Sequence, residues 1–144
     1  MSKVGIKFPI GSGSSAGSGD FTAENKDAGT IYAGMAVAIH ASGIGVIKAQ
    51  ADSIGTRSVG LAIADKAPTF AATIRTGGVL TLSDWTNVIG SVNLSAFAVY
   101  YLDESTAGML TTTAPTSATQ IVQRIGTAVS ATSLDIEVEQ PILL

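Results

Sequence analysis

The sequence predicts an all-β protein, a small barrel or a sandwich, with an extended N-terminal arm. Three observations carry that expectation. From Ile31 onward, short runs rich in Val, Ile, Thr and Tyr are broken by Gly, Ser and Asp. Their spacing of about 8–12 residues is that of strands and tight turns in sandwiches and barrels. In the clearest run Leu134, Ile136 and Val138 alternate with Asp135, Glu137 and Glu139, giving one apolar and one carboxylate face. No segment sustains a helical period, and the one helical candidate is a single turn, Asp84-Trp85-Thr86, with Ser83 as its cap.

At 144 residues the chain is one domain or two small similar lobes sharing an interface. Residues 1–20 read as the arm and residues 21–144 as the β domain. The arm begins with Val4, Ile6, Phe8 and Ile10, which share one face of an extended chain, interleaved with Lys3 and Lys7. The Gly/Ser run from Gly11 to Gly19 has the composition of a flexible tether. Such a tip suits addition to a sheet edge, with the missing donor of Pro9 facing outward, and these six residues are the candidate protein-binding site. A disordered terminus is the alternative. Strands are expected near 34–39, 44–49, 58–64, 70–76, 78–82, 97–102, 109–113, 120–130 and 133–139, after which Pro141 ends ladder donation.

The sequence echoes itself. Gly34-Met-Ala-Val-Ala-Ile39 matches Ala96-Phe-Ala-Val-Tyr-Tyr101, and Gly45-Val-Ile-Lys-Ala49 matches Gly108-Met-Leu-Thr-Thr112. Ser58-Val-Gly-Leu-Ala-Ile-Ala64 matches Arg124-Ile-Gly-Thr-Ala-Val-Ser130. Two related β units, about 31–82 and 94–144, are therefore expected. In the last pair one strand face is small (Gly60, Ala62; Gly126, Ala128), which admits a close backbone from a neighbouring sheet or subunit.

Composition points to a covered surface. Only 13% of residues are charged, and alanine supplies 21 residues against four Phe, three Tyr and one Trp. A net charge of −3 argues against a nucleic-acid partner, and no window is apolar enough for a membrane span. No secretory signal is visible after Lys3 and Lys7. With no cysteine and one histidine, His40, thiolate chemistry and a multi-His metal site are excluded. Gly11–Gly19 lacks the Lys-Ser/Thr of a phosphate loop and no amphipathic helix follows it. Asp103-Glu104 reads as a solvated hairpin turn, and Asp135, Glu137 and Glu139 as a solvent face or one awaiting a basic partner. Neither an enzyme nor a cofactor is expected.

Several of these stretches resemble a known family. Ala33-Gly-Met-Ala-Val-Ala-Ile39, the Gly-rich hairpin after it, Ala51-Asp52, Ser58-Val-Gly-Leu-Ala-Ile63 and the Gly77-Gly78 turn resemble capsid decoration, or cement, proteins of tailed bacteriophages. Tyr101-Leu-Asp103, Gly108-Met-Leu-Thr111, Thr113-Ala-Pro115 and Val122-Gln-Arg-Ile-Gly-Thr-Ala128 are similar to a module of phage virion proteins that also occurs in head fibres and tail-associated proteins. The resemblance implies a β-barrel or β-tulip-like fold, a homotrimer, and a seat on the outer capsid surface with an ordered N-terminal arm. It implies the major capsid protein as partner and synthesis in the host cytoplasm. The alternative it leaves is a tail or head-fibre module recognising a host surface ligand, for which Trp85, Tyr100 and Tyr101 are the candidate aromatics; with so few large apolar residues, Trp85 reads as a core or interface residue before a ligand platform.

Overall fold

The computed structural model describes residues 19–144, and the candidate arm residues Lys3, Val4, Ile6, Lys7, Phe8 and Ile10 lie outside them. The described chain is almost entirely antiparallel β-structure. A first sheet holds β1 (Asp20–Glu24), β2 (Ala36–Ile39), β3 (Val46–Lys48), β4 (Gly60–Ala62) and β5 (Ala71–Arg75) in the order β1-β5-β4-β2-β3. A second sheet holds β6 (Gly77–Thr81), β7 (Val99–Leu102), β8 (Leu110–Thr111), β10 (Arg124–Ala128) and β11 (Ser133–Glu137) in the order β6-β11-β10-β7-β8. The remaining strands, β9 (Ile121–Val122) and β12 (Ile142–Leu143), pair with each other. A short helix, α1 (Thr86–Ile89), lies between β6 and β7.

Position for position the two sheets have one topology, and the match reaches single hydrogen bonds. Gly34 N donates to Ala62 O at 2.7 Å, and Phe97 N donates to Ala128 O at the same distance. Ala62 N donates to Met35 O, as Ala128 N does to Ala98 O. Gly34 and Phe97 both have positive φ, +90° and +68°. Gly34 therefore corresponds to Phe97, one residue further along than the echo with Ala96 in the sequence. The strands of the two units run over 20–75 and 77–137, so β6 opens the second unit rather than closing the first.

The units differ at their edges. In the first, β1 and β3 meet: Asn25 forms a parallel bridge with Val46, and Lys26 N donates to Val46 O at 2.8 Å. That bridge closes the first sheet into a small barrel. Buried Asn25 fixes the corner, its Nδ2 donating to Lys66 O at 2.9 Å and to Gly29 O at 3.2 Å. Among the described residues no such bridge joins β6 to β8.

One apolar core runs through both units, with Leu61, Ile74, Leu102, Ile125 and Leu134 among its fully buried side chains. The units pack head to tail. The β7–β8 hairpin tip of the second lies on β2 and β3 of the first: Ala36 N donates to Gly108 O at 3.0 Å, and Gly108 N to Ala49 O at 2.7 Å. At the equivalent tip of the first unit, the atoms nearest an added Cβ on Gly45 belong to Lys26 and Glu24 of its own unit. The contact is thus heterologous, a different surface being used on each side.

Four details differ from the sequence expectation. β1 precedes Ile31, where strands were expected to begin, because Phe21 and Ala23 alternate inward with exposed polar neighbours over a single short strand. The stretch 120–130 is two strands, because the Gln123 side chain turns inward between them. Pro141 does not end the ladders; β12 follows it, in a separate ladder where the missing donor is not needed. Gly77-Gly78 begins β6 rather than forming a turn, although Gly78 keeps a φ of +84°.

Candidate binding surface

The chemistry-bearing residues are each absorbed locally. His40 Nδ1 lies 2.9 Å from Ser42 Oγ within the β2–β3 turn. Asp103 Oδ1 accepts from Ser105 N at 2.7 Å and Ser105 Oγ at 2.9 Å, a closed Asx turn. The carboxylates of Glu137 and Glu139 share Arg124, at 3.1 and 3.2 Å, so the basic partner of that face belongs to the chain itself. Among the described residues no group of three or more His, Cys, Asp or Glu side chains stands together as a metal site. No helix there is long and apolar enough to cross a membrane.

The aromatic candidates divide. Trp85 is fully buried and its Nε1 donates to Thr132 O at 3.0 Å. Its ring, with Leu82 and Val88, covers Gly34, where an added Cβ would meet all three within 3.1 Å. Tyr100 is buried too, its hydroxyl accepting from Ser95 N at 2.9 Å. Tyr101 alone is half-buried. The turn containing Trp85 is capped by Asp84 rather than Ser83: Asp84 Oδ1 accepts from Thr86 Oγ1 at 2.5 Å and Thr86 N at 2.9 Å. These bonds, the side-chain one foremost, hold the Asp84 carboxyl below its ordinary value of 3.8.

The small-residue strand faces serve the sheets that contain them. A Cβ added to Gly60 would come within 2.6 Å of Arg75 O on the adjacent strand, and one on Gly126 would strike Asp135 O. The close backbone is therefore the hydrogen-bonded neighbour, β5 or β11, and not a second sheet or a subunit.

Several apolar side chains remain exposed on the described chain. Both Ile142 and Leu143 of β12 are exposed, as is Leu144. Successive strand residues point to opposite faces, so neither face of β12 is covered. The β2–β3 hairpin exposes Ile39 and Ile44, and the start of the β7 segment exposes Phe97, which is 82% accessible. Sequence reasoning missed all of these, because each lies on a strand or tip whose pattern is ordinary for a core position. The one signal at hand was a large apolar residue directly beside turn glycines, as in Gly43-Ile44-Gly45. Gly19 O accepts from Thr76 N at 2.8 Å, so the described chain starts beside the β5–β6 junction.

Neither the models of known protein families nor the curated proteins contain a match to this sequence.

Proposed function

We propose that this chain is a virion structural protein that binds the outer surface of a phage capsid and stabilises it by bridging neighbouring major-capsid subunits. The observation that carries the reading is β12, a short strand with Ile142 and Leu143 exposed on opposite faces. Isolated two-stranded ladders are marginal in water, and an uncovered apolar strand with open backbone groups is a template for pairing with another chain. The charge-poor composition agrees with a surface that becomes covered. The sequence resemblance to decoration proteins supplies the capsid as the partner and three as the copy number. A carbohydrate-binding module would favour exposed aromatics beside polar groups, and two of the three candidates, Trp85 and Tyr100, are buried. The test is the position of the protein in images of the intact virion, with density for this fold expected on the outer shell. Density confined to the tail or to fibres overturns the reading. Ile142→Asp with Leu143→Asp should leave the fold intact and abolish binding to undecorated capsids.

A further inference from the structure

The head-to-tail packing of the two units leaves one copy of each contact surface unused, and three exposed apolar residues, Ile39, Ile44 and Phe97, lie on the unused copies. Leu102, at the end of β7, is fully buried, whereas its equivalent in the first unit, Ile39, is 42% exposed. Gly108, at the docked tip, is buried; by strand register its equivalent is Ile44, which stands at the open tip and is 70% exposed. On the receiving side Gly34 and Ala36 are buried under the second unit, while their equivalents Phe97 and Val99 are exposed and half-buried. Each surface hidden on one unit is thus apolar and open on the other.

We propose that a second copy of this chain continues the internal interface: the β2–β3 tip carrying Ile39 and Ile44 docks on the Phe97–Val99 edge of the next copy. The contact extends an interface that the chain already builds within itself, and each copy offers one unused tip and one unused receiving edge. The bulk is redistributed in a compatible way. Inside the chain a glycine, Gly34, faces Leu82, Trp85 and Val88 from the long β6–β7 connection, residues 82–98. Between copies the corresponding β1–β2 connection is shorter, residues 25–35, and Phe97 replaces the glycine. A large ring thus fills the place of the missing insertion. The repeated topology sets a positive φ here, +90° at Gly34 and +68° at Phe97, and in the second unit a large side chain occupies that position. A heterologous contact either closes into a ring or continues as a filament. The inference stands on the internal repeat and is independent of the capsid reading.

The full-length chain should sediment as an assembly at micromolar concentration. Ile44→Asp and Phe97→Asp should each weaken association at least about 30-fold, as loss of a central apolar anchor does. Mixing these two variants gives the decisive result. Each retains one intact surface, so the mixture should form a one-to-one dimer and nothing larger. Phe97→Gly relieves the backbone conformation, so it should melt no lower than the native chain while assembling poorly, which separates folding from association. A native chain that stays monomeric overturns the proposal. So do variants that assemble normally, or two monomeric variants whose mixture remains monomeric.

Discussion

Two glycines and one aspartate show how single residues govern this fold. A methyl group on Gly60 would lie 2.6 Å from Arg75 O and 2.8 Å from Ile74 Cγ2, and neither the strand pairing nor the buried isoleucine can yield cheaply. Gly60→Ala should therefore lower stability by about 1–3 kcal/mol, read from urea unfolding, with Gly126→Ala at least as severe. Asp84 behaves differently because it is exposed. Its native-state pKa is lowered by the Thr86 hydrogen bonds, so the capped turn is favoured above the unfolded value. That contribution is lost as pH falls through the native value. A carboxyl NMR titration should place the Asp84 midpoint below 3.8, and Thr86→Ala should return it toward 3.8. An unchanged midpoint in that variant would show that the hydroxyl is not the cause. The small size of Gly60 and Gly126 was legible in the sequence, but its beneficiary was not. Strand pairing within one sheet and packing between sheets leave the same mark of missing side chains.

At the scale of elements, the central strands of each sheet were readable because their apolar residues alternate around turns that demand glycine. The outer pieces were not. β1 is tied to β5 by a register from Asp20 with Arg75 to Glu24 with Ala71, partners 55 to 47 residues apart in sequence. β9 and β12 depend on Gln123, whose inward turn no local pattern announces. Its buried side chain accepts from Ser58 N at 2.8 Å and donates to Ser58 O at 2.9 Å and Glu139 O at 3.0 Å. One amide thereby ties the first unit, the second and the chain leading to β12. Gln123→Ala would strand the Ser58 N–H in the interior, so a loss of about 1–3 kcal/mol is expected in thermal or urea unfolding. Arg124, next in sequence, is a contrast. Its ion pairs with Glu137 and Glu139 are half-exposed on the carboxylate side, and Arg124→Gln should cost no more than about 1 kcal/mol.

For the molecule as a whole, two sheets of one topology share a single core, and the second adds the β9–β12 ladder and the α1 insertion. The exposed apolar sites were hidden from sequence reasoning because exposure follows from which copy of each repeated surface the chain covers. Ile39 and Leu102 occupy one strand position, yet only the packing of units decides that one is wet and the other dry. Removal of residues 1–18 should leave this arrangement intact, since the bond from Thr76 N to Gly19 O is retained. The truncated chain is expected to melt with the full one and to bind capsids or itself more weakly. Equal binding would reduce the N-terminal stretch to a passive leader.

The bridge between Asn25 and Val46 has a consequence for motion. In an open sheet the outermost strands peel first, and their amides exchange with solvent long before those at the centre. Here Lys26 N is bonded to Val46 O and Lys48 N to Asp27 Oδ2, so the two rims of the first sheet hold each other down. Deuterium should enter Lys26 and Lys48 about as slowly as β4, while the outward amides of β6 label quickly. Rapid labelling at Lys26 would mean that the ring breathes open at its seam.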